Sequence, residues 1–377
     1  MLDRYAVPAP TSSPEYDLVR LAARAELDGV RAARFREAVE GPLDWKKVMA
    51  AGSHHRVLPL LYIHLREHAA GAPPDAMIAV LQQFVQSAAV RVLFLSSQMA
   101  LIARQLNGEG VPFLVLKGPT LSEAYGGAAR RPFSDNDLLI RHGDFGRVER
   151  ALLDLGFNRR KRSQRQLEGH LLIHREYTFG RAVEAHVSTV DVHTSVAPLG
   201  YTYDGSYDRL ASRGRTVAVG GAEVQALGWS DLFLVLCVNA LKDQWDRLRL
   251  ASDLAELADH VADWDQAESE AESQRSLRAF RIGVLVAADE LDGRFPQDVL
   301  ERARSDREAS ELARTIRAHF PAAHNEQVLD GSERARLMLR AQDGIRGQAR
   351  YLSYVAVRRL LDRWVSPHPP GSRPASA

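Results

Sequence analysis

Apolar and polar positions follow a helical period at both ends of the chain and a strand-like pattern in between. From Glu15 to about Gly41, Leu18, Leu21, Ala22, Ala25 and Leu27 recur at near-helical spacing, which predicts one helix stopped by Gly41-Pro42. Asp44 is placed to cap a helix starting at Trp45, and Val57 to His68 carries Leu58, Leu60, Leu61, Ile63 and Leu65. After the break at Gly71-Ala-Pro-Pro74, a long helical pattern runs from Asp75 to Asn107. The character changes after Asn107-Gly-Glu-Gly110. Val111 to Leu116 reads as a short buried strand, Pro119 to Tyr125 as a short helix, and Phe133 to Ile140 as a second strand. An amphipathic helix follows from Asp144 to Leu155, then strands near 170–179 and 184–193. Gly220-Gly221 joins Thr216–Val219 to Ala222–Leu227 as a hairpin. From Trp229 the helical period returns in segments of roughly 230–242, 247–262, 264–291, 297–319 and 332–364.

This organisation predicts an α+β fold. A small mixed β-sheet core over 108–228 lies between an N-terminal helical domain (15–107) and a C-terminal helical domain (229–364). Residues 1–14 read as a flexible start. The Pro- and Ser-rich stretch 365–377 reads as a disordered tail.

Composition narrows the classes of function. The 377 residues carry a formal charge of +1, so no global field draws the molecule to nucleic acid or membrane. DNA and membrane partners are therefore not expected. Cys237 is the single cysteine, so no intrachain disulfide forms, and its apolar helical surroundings make it a core residue rather than a nucleophile. No uninterrupted apolar run approaches the roughly 20 residues of a membrane span, and the N-terminus lacks a signal-peptide pattern. A cytoplasmic location is expected by default.

The candidate chemistry lies in Arg131-Pro-Phe-Ser-Asp-Asn-Asp-Leu-Leu-Ile140. If this segment is a strand, Asp135 and Asp137 point the same way. Two carboxylates on one face repel unless a cation lies between them, and hard oxygen ligands suit Mg²⁺. Asp191, in the later apolar stretch Val190-Asp191-Val192-His193, is a third candidate. Three carboxylates can hold two Mg²⁺ ions for nucleotidyl transfer, with Mn²⁺ as a substitute. Asp191 could also act as general base on the acceptor hydroxyl. Gly118 at a strand-to-helix turn would admit a triphosphate, with Lys117 and Arg131 as partners for its oxygens and Thr120 or Ser122 as further donors. His193 shares a face with Asp191 and would position a ligand or the acceptor, or else be a satisfied core histidine.

Taken together, Leu116-Lys117-Gly118, Arg131-Pro132 with Asp135-Asn-Asp137-Leu-Leu139, and Val190-Asp191-Val-His193 resemble the bacterial "uncharacterised nucleotidyltransferase" family of the DNA polymerase β superfamily. The resemblance spans about residues 40–320, with Asp44-Trp45, Trp245-Asp-Arg-Leu248 and Asp253 as flanking pieces. It implies an enzyme that moves an NMP from an NTP to an acceptor. It assigns metal binding to Asp135, Asp137 and Asp191, nucleotide contacts to Lys117, Gly118, Arg131 and Asp253, and acceptor or supporting roles to His193 and Trp245. The chain departs from the pattern at Pro119, Asn136, Thr194 and Asn239.

Plainer readings stand beside these. Trp245 and Leu248 suit a core, and Asp253 could close a salt bridge instead of reaching the nucleotide. The run Arg159-Arg160-Lys161-Arg162 with Arg165 reads as a solvated loop. It is also the one feature favouring a toxin-like enzyme acting on tRNA or protein over one acting on a small molecule. A catalytically silent core that binds nucleotides or a partner protein is the non-enzymatic alternative.

Overall fold

A computed structural model describes residues 12–159, 171–172, 174–184, 186–201, 203–323 and 331–365. The chain up to Thr11, most of the basic run (Arg160, Lys161, Arg162 and Arg165) and the tail from Ser366 lie outside the described residues.

Four helices come first: α1 (Pro14–Leu21), α2 (Gly29–Glu40), α3 (Trp45–His54) and α4 (Leu58–His68). The single helix expected over 15–41 is thus two. Its apolar period continues through 22–28, but a distant acid holds that stretch open. Glu256 accepts from Arg24 Nε at 2.6 Å and from the Ala25 N–H at 2.9 Å. Asp28 then caps α2 through the Arg31 N–H. Asp44 caps α3 as the sequence implies, accepting from the Lys46 and Lys47 N–H groups.

Helix α5 (Asp75–Gly108) follows, 34 residues long. By length and composition it could cross a membrane, although Gln and Ser interrupt its apolar run. Met77 and Leu81 near its start and Met99, Ile102, Ala103 and Leu106 near its end are buried, while Phe84, Val90 and Leu93 between them are exposed.

The middle of the chain supplies β1 (Phe113–Val115), α6 (Pro119–Ser122), β2 (Asn136–Ile140), α7 (Phe145–Asp154), β3 (Asn158–Arg159), β4 (Glu176–Val183), β5 (His186–His193), α8 (Tyr207–Ala211), β6 (Arg215–Val219) and β7 (Ala222–Ala226). The seven strands form one mixed sheet in the order β3-β4-β5-β2-β1-β7-β6. The central β2 pairs with β5 in parallel and with β1 antiparallel. One face, carrying Val115, Leu138, Ile140, Val190 and Val192, packs on the end of α5 and on α7. The other face contributes Leu114 and Leu139 to a larger core.

That larger core is built from the remaining helices: α9 (Trp229–Lys242), α10 (Leu248–Leu257), α11 (Trp264–Ser273), α12 (Leu277–Leu291), α13 (Gln297–Ser305), α14 (Arg307–Ala323), α15 (Gly331–Arg340) and α16 (Gly344–Val365). Three expected continuous helices, 264–291, 297–319 and 332–364, are each divided, the last at Gly344 with its φ of 64°. Arg275 takes a left-handed φ of 54° between α11 and α12, and the Asp306 carboxylate accepts the Ala309 N–H at the start of α14. Helices before and after the sheet share this one core, in which Tyr16, Leu18, Val19 and Phe35 join Phe233, Leu254, Ile282 and Phe320. The Tyr16 hydroxyl donates to Glu290 at 2.7 Å across it.

Candidate active site

The site forms where the end of β1, the start of β2 and the end of β5 face helices α9 and α10. Its cleft is lined by Lys117, Gly118, Arg131, Asp135, Asp137 and His193 from the sheet side. Asn239, Lys242, Asp243, Arg247, Arg249 and Asp253 come from the helical side, and Arg56 from the turn after α3.

Asp137 is the centre of this arrangement. It lies in β2, directly opposite Asp191 of β5 in the parallel register, and is 1% exposed. Its Oδ1 takes the Lys117 ammonium at 3.3 Å and His193 Nε2 at 3.1 Å. Its Oδ2 is buried with no hydrogen-bond partner among the described residues. Burial pushes this carboxyl up, but Lys117 and His193 outweigh it and hold the group down at about 2. Asp137 in turn raises the pKa of Lys117, so the two form a charged pair.

Asp135 stands one residue outside the ladder, because strand pairing begins at Asn136 rather than at Phe133. The expectation that both aspartates sit inside the strand is corrected to that extent. Gly118 explains the placement. Its φ is +72°, and a Cβ there would lie 3.3 Å from the Asp135 carbonyl oxygen. Only a residue without a side chain lets the turn after β1 lie against the backbone that presents Asp135. The Asp135 carboxylate is partly exposed and has no hydrogen-bond or salt-bridge partner among the described residues.

Asp191 shares the Asp137 face of the sheet, since Val190 and Val192 point into the opposite core. It flanks the cleft without being among the lining residues. Thr178 Oγ1 donates to it at 2.5 Å. Burial raises its carboxyl above the ordinary value, with neighbouring Asp137 adding to the rise. The three acids do not close into a ready-made cage, because no trio of their oxygens lies within 4.8 Å of one another. Mg²⁺ does not require one, as it binds through one or two carboxylates and keeps water and phosphate as its other ligands. Two features fit such an ion: the bare buried Oδ2 of Asp137 and the unpartnered carboxylate of Asp135.

The other expected site residues are engaged by neighbours within the fold. Arg131 is 7% exposed and clamps Asp253 with two hydrogen bonds, Nε to Oδ1 at 2.7 Å and Nη2 to Oδ2 at 2.8 Å. The Tyr125 hydroxyl adds a third at 2.7 Å. Burial pushes the Asp253 carboxyl up, but Arg131 overrides this and holds it low. Arg131 and Asp253 therefore form the wall of the cleft and direct their charges at each other. Ser122 is likewise committed, donating within the turn to Gly118 and Arg131 carbonyls. Trp245 is buried in the helical core, 3% exposed, and does not line the cleft. Asn136 faces away from the acids and donates to the Leu95 carbonyl of α5. Arg159, the described end of the basic run, is paired with Glu149.

The helical side adds cations that the sequence motifs did not mark. Arg249 is partly buried, donates to the Pro132 carbonyl at 3.2 Å, and has no carboxylate within salt-bridge distance among the described residues. Burial, with Arg131 beside it, pulls its guanidinium down to about 10. Arg56 has a backbone φ of 57°. Lys242 reaches Glu176 at 3.6 Å. The cleft encloses about 130 Å³, below the ~300–1,000 Å³ of typical small-molecule pockets. Four of its lining residues, Arg56, Phe133, Ser134 and Arg249, also line a neighbouring groove of about 490 Å³. That groove runs between Pro59, Phe84, Ala88 and Pro132, and its lining holds three arginines (Arg56, Arg91 and Arg249) and no acid.

A protein-family model described as "Uncharacterised nucleotidyltransferase" matches residues 41–292. No curated protein and no solved structure matches the chain.

Proposed function

The chain belongs to this uncharacterised nucleotidyltransferase family and is an enzyme of nucleotidyl transfer; from that premise we propose that it moves a nucleoside monophosphate from an NTP onto a hydroxyl or phosphate of a small anionic acceptor, at a Mg²⁺ site made by Asp135, Asp137 and Asp191. The observation that carries the proposal is Asp137, a buried charged carboxylate with one oxygen held by Lys117 and His193 and the other without a hydrogen-bond partner among the described residues. A buried unpaired carboxylate oxygen is costly, and a dication resolves it.

In this reading the acceptor oxygen attacks the α-phosphorus, the bond to the pyrophosphate oxygen breaks, and the acceptor proton leaves to a base. Bound Mg²⁺ supplies charge neutralisation on the phosphate oxygens. Asp135 and Asp137 orient that ion. Asp191, opposite Asp137 on the same face of the sheet, is the carboxylate placed to receive the acceptor proton. Lys117, Arg56 and Arg249 face the phosphates, and neither Arg56 nor Arg249 has a carboxylate within salt-bridge distance among the described residues. The small cleft takes the phosphates, while the larger arginine-rimmed groove takes the rest of the substrates. The absence of acids from that groove favours an anionic partner.

The test uses each α-³²P-labelled NTP with Mg²⁺ and a fractionated small-molecule extract. We expect label in a small molecule, released pyrophosphate, and loss of transfer in Asp135→Asn and Asp137→Asn proteins that remain folded. Undiminished Mg²⁺-dependent transfer by Asp137→Asn would overturn the assignment.

A further inference from the structure

Three potential metal ligands converge on the last turns of α4, outside the cleft and the groove. His64, Glu67 and His68 each offer one atom, and the three atoms lie within 4.8 Å of one another. His64 and His68 are one helical turn apart, so their rings share a face, and they stack with centroids 5.9 Å apart. Glu67 Oε2 lies 4.0 Å from His64 Nδ1 and 3.9 Å from His68 Nε2.

The proton arrangement on His64 sets this trio apart from an ordinary polar helix face. The residue is 1% exposed. Its Nε2 lies 2.8 Å from the Arg24 carbonyl oxygen. A carbonyl only accepts, so Nε2 must carry the hydrogen. Nδ1 is then left with a bare lone pair, buried and without a hydrogen-bond partner among the described residues. A metal-binding histidine has the same arrangement: one ring N–H given to a backbone carbonyl, the other nitrogen free for the ion. Phe35 lies edge-on to both rings, with centroids 6.1 and 6.5 Å away, and walls the site on one side.

We propose that His64 Nδ1, Glu67 and His68 Nε2 bind a transition-metal dication of the Zn²⁺ class, with water in the fourth position. Tetrahedral Zn²⁺ with bonds of about 2.0–2.2 Å sets its ligands about 3.4 Å apart. The observed 4.0 and 3.9 Å therefore close by about half an ångström. Glu67, half exposed at 51%, is free to make that movement. Two imidazoles and one carboxylate suit Zn²⁺ or Co²⁺ better than Mg²⁺, which prefers an all-oxygen shell. All three ligands belong to one helix, so the ion fastens the end of α4. Through His64 it also fixes the Arg24 carbonyl in the connection between α1 and α2.

The experiment uses the full chain, stripped with EDTA and held in excess Mg²⁺ so that the acids of the cleft are occupied. ZnCl₂ is titrated by calorimetry, and CoCl₂ by visible absorption. The expected result is one Zn²⁺ per chain and the d–d bands of four-coordinate Co²⁺. Binding should weaken at least tenfold in Glu67→Gln and in His68→Ala, whose partly exposed positions spare the core, with far-ultraviolet dichroism unchanged. Asp137→Asn should keep the site. The proposal fails if the folded wild type takes up no Zn²⁺, if Glu67→Gln and His68→Ala bind it unchanged, or if Asp137→Asn abolishes binding.

Discussion

Asp137 and Asp191 face each other across the parallel β2–β5 register, yet their surroundings drive their carboxyls in opposite directions. Asp137 is held at about 2 by Lys117 and His193, whereas burial and its neighbour raise Asp191. Two acids with separated proton affinities form a common division of labour in active sites, one permanently charged and one able to exchange a proton.

Lys117 is the first element of that separation to test. Lys117→Met removes the ammonium at 3.3 Å and leaves the buried Asp137 carboxylate with His193 alone. Transfer should fall by about 10²–10³-fold, and stability by about 1–3 kcal/mol. Label-transfer rates and urea denaturation measure the two effects.

The low proton affinity of Asp137 also has a pH signature in the metal-free protein. The carboxyl titrates near 2 when folded and near its ordinary value when unfolded. Its ionisation therefore stabilises the fold above about pH 4 and is lost as pH falls through 2. The contribution is about 2 kcal/mol. Between pH 4 and 2, wild type in EDTA should lose stability more steeply than Asp137→Asn. Parallel curves from denaturation at stepped pH would contradict this.

Gly118→Ala should separate geometry from charge. The substitution places a Cβ 3.3 Å from the Asp135 carbonyl at a φ of +72°. We expect a loss of about 1–3 kcal/mol in stability. Activity should fall further than that loss alone explains, because the segment carrying Asp135 is pushed away. Kinetics well below the unfolding temperature would show it.

The Arg131–Asp253 clamp should behave as a unit. Arg131→Met or Asp253→Asn alone strands a buried charge and should cost about 3–5 kcal/mol. Joining Arg131→Met with Asp253→Asn should cost much less than the sum of the singles. A double-mutant cycle by denaturation yields the coupling.

Arg249 should show the opposite balance. Its guanidinium is partly buried with no acid partner among the described residues. Arg249→Met should leave stability unchanged or slightly raised while increasing KM for the NTP about tenfold or more. A purely structural arginine would show destabilisation with an unchanged KM.

Much of the sheet side of this site is legible in the chain. Alternation placed Asp137 and Asp191 on strands facing away from Val190 and Val192, and Gly118 marked the turn. The helical side was harder to read. Arg131 and Asp253 are 122 residues apart, so nothing local reveals that they satisfy each other. Arg56 and Arg249 reach the cleft through tertiary packing alone. One signal was present, because Asn239, Lys242 and Asp243 recur at helical spacing along the end of the apolar α9 and its C-cap, and all line the cleft. The split of the first helix had one local mark, Asp28-Gly29, where Asp28 caps α2, while Glu256, more than 200 residues away, takes the Ala25 N–H.

The stretch matched by the family, 41–292, does not coincide with the body that folds. Tyr16, Leu18, Val19 and Phe35 on one side of it, and Ile316 and Phe320 on the other, are buried in the same core as its own helices. A fragment trimmed to the region of kinship would open that interior to water on two sides and strip Glu290 of its tyrosine. Ancestry here is recorded in a shorter segment than the one the physics requires to stand.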